Sequence, residues 1–403
     1  MNLLRNSKLG IVSCMLALSV GVALSSVSAS AKTRLVSGHA ASINANSFTN
    51  TFSALKALKG IAAAGHGKIA AILPDTTSST RYVEFDQPDI KKAAAAAGLP
   101  SSDVIVQNAN GSDSTFYSDA QADITNGATV LLIDPEDSGT GVKVENYAKQ
   151  HGVDVIDYDR LDLGGPSDPY VSFNNVNVGK LIGKGFVSCV SAWHVSHPNV
   201  IMMYGSPTDN NATLFAQGYD GVLAPYFKSG KYTLLQKTAG TWNPTSPSPD
   251  ALAEFSAAYT AHPTANSAVI PNDENGAPII TYLKSHGVKP ETFPTTGQDA
   301  TLTGLQNIIS GYQCGTVYKA VYKEAGAAVA LALYLRDGKK APSGLLNGSV
   351  QDTQTHKSVR SVLLPPVWVT PKNMKATIIK DNFVTAKQLC TTAYKADCKK
   401  YGI

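Results

Sequence analysis

The sequence predicts an α/β protein of two doubly wound lobes, each a parallel sheet covered by helices on both faces. Three observations predict it. From Gly67 onward, short apolar runs of strand length alternate with Ala-rich runs of helical period, and such alternation needs crossover helices between parallel strands. The alternation begins again after SFNNVNVG at 172–179, so the chain holds two similar halves. Finally, 403 residues exceed what one core usually covers, and 43% hydrophobic with only 16% charged residues fits Ala-rich helices over buried strands.

Taken in order, KIAAIL (68–73) reads as a strand and IKKAAAAAG (90–98) as a helix; VIVQ (104–107) is a strand, followed by a helix from Ser114 to Asn126. TVLLID (129–134), a helix through VENYAKQHG (144–152), DVIDYD (154–159) and YVSF (170–173) complete the first half. The second half opens with VGKLIGKGFVSCV, whose Val178, Leu181, Ile182, Phe186 and Cys189 fall on one stripe of a helix. The segment RDGKKAPSGLLNGSVQDTQTHKS (336–358) reads as a surface loop ahead of a last apolar strand, VRSVLLPPVWV. Residues 32–65, rich in Ser, Asn and Ala with a short amphipathic FSALKALKGI, read as a spacer.

The amino terminus reads as an export signal. MNLLRNSK supplies positive charge, LGIVSCMLALSVGVAL an apolar core short for a bilayer span, and ASA at 29–31 a cleavage site, giving a mature start near Lys32. The protein is therefore expected in the periplasm or at the cell surface, and Cys14 within the apolar core is a poor lipidation signal. Export permits disulfides among Cys189, Cys314, Cys390 and Cys398. Three pairings are possible; Cys390 with Cys398 would staple a terminus that otherwise frays, leaving Cys189 with Cys314, and free buried thiols are the alternative. A net charge of +4 without a basic block does not imply nucleic acid. HVSH at 194–197 fits no common helical zinc motif, so neither a metal nor a cofactor is expected.

Function is written at the ends of the strands. NVIMMYG runs into GSPTDNNATLFAQG (205–218), VDVIDYDR ends in Asp159 and Arg160, SAVIPNDENGA carries Asn272 and Asp273, and PTTGQDATLTGL carries Gln298 and Asp299. In open α/β sheets the ligand lies outside the carboxyl ends of the strands, so these amides, carboxylates and a guanidinium converge on one cleft suited to a small polyhydroxylated molecule. Asn272 and Asp273 could also cap the following helix; Asp273 is the expected cap and Asn272 the expected contact.

The motifs RY at 81–82, QNANG at 107–111, YDR at 158–160, SFNN at 172–175, GSPTDNN at 205–211, ND at 272–273, GQDATLTG at 297–304 and TVYK at 316–319 stand in an order that resembles bacterial periplasmic sugar-binding proteins of the ribose and xylose type. The resemblance covers nearly all of 66–385. It implies a type I fold with three crossovers near Phe173, Lys319 and Arg360, and an amino-terminal lobe of 66–172 plus 319–359. The carboxy-terminal lobe would be 173–318 plus 360–385; the cysteine-containing tail at 386–403 and the 32–65 lead-in have no counterpart in the resemblance. It further implies Arg81, Asp159, Arg160, Asp209, Asn211, Asn272, Asp299 and Lys319 as hydrogen-bonding residues, with Tyr82 and Trp242 as aromatic walls. The implied function is capture of a monosaccharide, D-xylose or a similar aldose, by a monomer that delivers it to the permease of an ABC importer.

These residue types suit that task. A carboxylate accepts two hydrogen bonds from adjacent hydroxyls, a guanidinium fork donates two, and aromatic rings pack on the C–H faces of a pyranose. Tyr82 stands where the family has Trp, and NPTSPSP after Trp242 is recast, which leaves the identity of the sugar open. Bland roles compete: Asp159 and Arg160 as a mutual ion pair, Trp242 as a packed surface ring, Lys319 as a hinge residue. A glycoside hydrolase would need one carboxyl held protonated, whereas Arg81, Arg160 and Lys319 keep carboxylates ionised, and GxSxG, GxxxxGK[ST] and HExxH are absent. A transcription regulator would need a DNA-binding module where the export signal stands. A receptor presenting sugar to a membrane sensor shares every feature with a transport protein.

Overall fold

The computed structural model describes residues 43–166 and 168–403; the segment expected to be an export signal, Cys14 and the start of the lead-in lie outside the described residues. The strands of the first half are β1 (Lys68–Leu73), β2 (Val104–Asn108), β3 (Ala128–Ile133), β4 (Asp154–Tyr158) and β5 (Tyr170–Phe173). β1 and β3 are buried along nearly their whole length, which is why they read as continuous apolar runs rather than alternating ones. The helices α1 (Lys59–Ala64), α2 (Gln87–Ala96), α3 (Asp113–Thr125) and α4 (Ser138–Gln150) accompany them.

The second half holds α5 (Asn175–Ala192), β6 (Asn199–Met202), α6 (Asn210–Lys228), β7 (Thr233–Lys237), α7 (Ala251–Ala261), β8 (Ser267–Val269), α8 (Asp273–Ser285), α9 (Leu302–Ile309) and β9 (Thr316–Tyr318). Then come α10 (Val321–Arg336), β10 (Gly348–Gln351), β11 (Ser358–Leu364), β12 (Val367–Val369), α11 (Ala386–Leu389) and α12 (Lys395–Tyr401). The first sheet runs β10-β11-β5-β4-β3-β1-β2, parallel except for the β10–β11 hairpin at its edge. The second comprises a parallel β7-β6-β8 sheet and an antiparallel β9–β12 pair.

The chain passes from the first sheet to the second after β5 and returns after β9, since α10 packs against α2 and β3. The third crossing, expected near Arg360, falls later. β11 pairs with β5 up to Leu364, and Pro365 and Pro366, which carry no N–H for a ladder, end that pairing before β12 joins β9.

Two further expectations are corrected. The lead-in, from residue 43, is no spacer: Phe48, Phe52, Leu55 and Leu58 are buried in the first core, beside α2 and α10. The tail does not stand apart either, because Leu389 and Cys398 belong to the hydrophobic cluster around α9. Part of the expected surface loop also gains order as β10. The structure joins Cys189 to Cys314 and Cys390 to Cys398.

Helix α6 lies against α5 at backbone distance. A Cβ on Gly179 would stand 2.0 Å from the Phe215 carbonyl oxygen, and one on Gly218 would stand 2.4 Å from that of Val176. Only glycines allow this approach, and it fixes where α6 begins.

Candidate functional site

Most of the parallel strands are followed by a helix whose first N–H groups lack partners, and a polar side chain at the turn satisfies them. Ser112, Asp137, Asp209, Asn272 and Thr301 cap α3, α4, α6, α8 and α9 in this way. Because these turns all lie beyond the strands' carboxyl ends, capping chemistry and cleft chemistry draw on the same residues. Asp209 shows it: Oδ1 accepts from Asn211 N at 2.8 Å, and Oδ2 accepts from Trp242 Nε1 at 2.8 Å.

Tyr82, Asp159, Arg160, Asp209, Asn211, Trp242, Asn272, Asp299 and Lys319 come together around one cavity. Sequence reasoning missed Ser78, Ser79 and Phe215, and noted Gln298 at its strand end without assigning it a contact. Phe215 carried a signal, since it stands one helical turn after Asn211 on the same face of α6.

Asp159 and Arg160 do not pair with each other. Asp159, at φ 59°, turns its carboxylate to Arg81 Nη1 at 2.9 Å and accepts from the Tyr82 hydroxyl at 3.1 Å. Arg160 points the other way: Nε lies 3.5 Å from Asp134 and 3.6 Å from Asp209, while Nη1 and Nη2 donate to Pro135 O and the Tyr82 hydroxyl. Asp299 is also left-handed, at φ 86°, and meets Lys319 Nζ at 3.0 Å and the Ser79 hydroxyl at 3.0 Å. Two carboxylate-bearing residues in a conformation that non-glycine residues rarely adopt is a mark of functional turns.

Arg81 stands elsewhere than the resemblance implies. Its guanidinium is 2% exposed, does not line the cavity, and is committed to Asp86, Asp159 and Glu324. It acts from behind, by holding Asp159. The expectation for the α8 turn is also reversed. Asn272 is the cap, with Oδ1 accepting from Asn275 N, and it still reaches the cavity. Asp273 is buried and binds Gln313, Thr316 and the Thr301 N–H, because the extended backbone of Asn272 places it, not Asp273, at the capping position.

Burial opposes ionisation of Asp159, but Arg81, then Lys319 and Arg160, outweigh it and hold the carboxyl at about 2. Burial pushes Glu324 up to about 8 against the pull of Arg81. Asp209 is raised by burial, with Arg160 opposing. The cavity itself therefore presents charged acceptors and donors side by side.

The lobes meet across it. Asn272 Nδ2 donates to Ser78 O at 3.0 Å, Thr80 N to Glu274 Oε1 at 2.9 Å, and Ser138 N to Thr208 O at 3.4 Å. The void between these side chains measures about 20 Å³, room for roughly one water, so a larger guest needs the walls to part.

The model of the periplasmic binding protein domain matches residues 69–340. The chain is 36% identical to the D-xylose-binding periplasmic protein of Escherichia coli over 290 residues, 71% of this chain and 83% of that protein. It is 30% identical to the multiple sugar-binding periplasmic receptor ChvE of Rhizobium radiobacter, over 81% of this chain and 93% of the relative. Among solved structures, the carbohydrate transporter solute-binding protein from Chloroflexus aurantiacus, in complex with D-glucose, superposes with a TM-score of 0.69 at 24% identity, covering 79% of this chain and 97% of that one. The matched family and these relatives are solute-binding proteins and not enzymes.

Proposed function

Because the chain belongs to the periplasmic binding protein family, in its sugar-binding branch, we propose that it captures one aldose, D-xylose or a close relative, between closing lobes and delivers it to an ABC-type importer. The observation that carries this reading is the composition of the cavity wall. Acceptors (Asp159, Asp209, Asp299), donors (Arg160, Lys319, Asn211, Asn272) and rings (Tyr82, Phe215, Trp242) line it together, as a pyranose with hydroxyl edges and C–H faces requires.

Charge narrows the ligand class. Both cavity cations face carboxylates, Arg160 toward Asp134 and Asp209, Lys319 toward Asp299. A sugar phosphate or sugar acid finds no uncommitted cation, whereas a neutral polyol exchanges hydrogen bonds without adding charge. Bonds such as Asn272 to Ser78 and Thr80 to Glu274 already tie the lobes, and a ligand bridging them adds to closure through its greater affinity for the closed state. No helix of the described residues is long and apolar enough to cross a membrane, which accords with a separate permease.

The test is a thermal-shift screen of the chain from Lys32 against xylose, glucose, ribose, arabinose, galactose and inositol, followed by calorimetry. A ligand bound only by the native state raises Tm. A shift with one aldose supports the reading and names the sugar; none with any monosaccharide sinks it.

A further inference from the structure

Behind the turn that presents Asp159 and Arg160, α4 and the exit of β4 bring Glu145, Asp157 and Asp162 together. One carboxylate oxygen from each lies within 4.8 Å of the other two. Two oxygens that share an ion at about 2.4 Å stand no more than about 4.8 Å apart, and all three separations fall within that bound. The side chains are buried, at 1%, 1% and 4% exposure. Carboxylates packed this way repel unless a proton or a cation lies between them.

Three observations favour a cation. First, Asp162 Oδ2 is buried without any hydrogen-bond partner, while Asp157 Oδ2 accepts from Asp162 N at 3.1 Å. Second, glycines let the carboxylates pack this closely: a Cβ on Gly141 would fall 1.9 Å from Asp162 Oδ2, and one on Gly165 would fall 1.9 Å from Glu145 Oε2. Third, Glu145 alone of the three lines a 310 Å³ surface pocket, whose wall also carries Lys149 and Asp168, so the cluster is reached from its Glu145 side.

We infer that Glu145, Asp157 and Asp162 form a site for a divalent cation of oxygen preference, with Ca²⁺ the ion that the donor set fits best. All three donors are hard oxygens, and water or backbone carbonyls would complete the shell. The consequence reaches the cleft. Asp157 and Asp162 bracket Asp159 and Arg160 in sequence, so an ion gripping both pins the turn that aims these two residues. The rival arrangement is a set of carboxyls sharing protons, with Asp157 and Glu145 hydrogen-bonded.

The experiment is calorimetric and thermal titration of chelator-treated chain with CaCl₂ at pH 7.5, without sugar. Binding of one ion and a rise in Tm of roughly 5 °C, at an ion concentration about a hundredfold above Kd, are expected. Asp162→Asn and Glu145→Gln should each abolish the rise, while Glu84→Gln, at an exposed carboxylate, should keep it. Absence of heat and of any Tm change with Ca²⁺, Mg²⁺ and Mn²⁺ would establish shared protons and overturn the site. A rise that survives both cluster variants would place the ion elsewhere and overturn it equally. Should Asp162→Asn not fold, Glu145→Gln and the wild-type stoichiometry decide.

Discussion

Arg160→Ala tests whether one side chain serves both the cleft and the fold. The guanidinium lies 3.5 Å from Asp134 Oδ1 and 3.6 Å from Asp209 Oδ2, all three groups being buried. With an effective dielectric constant near 20, each contact corresponds to about 5 kcal/mol of gross Coulomb attraction. Most of that is offset by desolvation, and removing one partner of a buried pair costs about 3–5 kcal/mol, because a charge is left behind. Asp134 is the exposed weakness: it is fully buried and neither of its oxygens has a hydrogen bond. A loss of that size is a large part of a typical stability of about 5–15 kcal/mol. Urea unfolding, followed by tryptophan fluorescence, should show it. Asp134→Asn introduced into the Arg160→Ala background removes the stranded charge and should restore at least about 2 kcal/mol, while sugar binding stays lost in both. If Arg160→Ala unfolds within about 1 kcal/mol of wild type, or if Asp134→Asn adds to the damage, the pairing argument fails.

Three more outcomes are expected. Trp242→Phe keeps the ring wall but deletes the bond to Asp209, so affinity for the sugar should weaken about 10- to 100-fold by calorimetry; unchanged affinity would mean that the ring alone matters. Asp273 and Glu324 are pushed by burial to about 7 and about 8, above their unfolded values near 4, so the native chain holds extra protons and its stability should fall as pH rises from 5 to 8.5. Asp159, held at about 2, contributes stability already complete above pH 4, so it does not oppose that trend; a Tm that climbs across this window would contradict the assignment. Reduction should lower Tm, and Cys189→Ser with Cys314→Ser should cost more than the Cys390 and Cys398 pair, since the closed loops span 125 and 8 residues; equal losses would refute the loop-entropy account.

Much of this was legible because strands buried on both faces write themselves as unbroken apolar runs, and the polar residues just past them have few places to point other than the cleft. Asp159, Asp209 and Asp299 were visible on that ground. Partnership was not. Arg81 and Glu324 are 243 residues apart, and Glu324 follows Lys323 in VYKEAGAAVALALYLR, where a charged pair near the start of a helix reads as solvent-facing. The Asn272–Asp273 choice turned on backbone angles, which two adjacent capping residues do not encode. The lead-in was misjudged because its Ser- and Asn-rich composition hides Phe48 and Phe52, whose burial depends on α2 and α10 far along the chain.

The glycine contacts between α5 and α6 divide the cavity wall into a part that can be redesigned and a part that cannot. Asp209, Asn211 and Phe215 ride on a helix with no slack toward its neighbour, so a bulkier residue at Gly179 or Gly218 would displace all three at once. Trp242 is held equally tightly, since a Cβ on Gly205 would stand 2.1 Å from its ring; Ser78 and Ser79, on the loop after β1, stand clear of that helix pair. A library built to change the guest should randomise those two serines and leave the helix pair untouched.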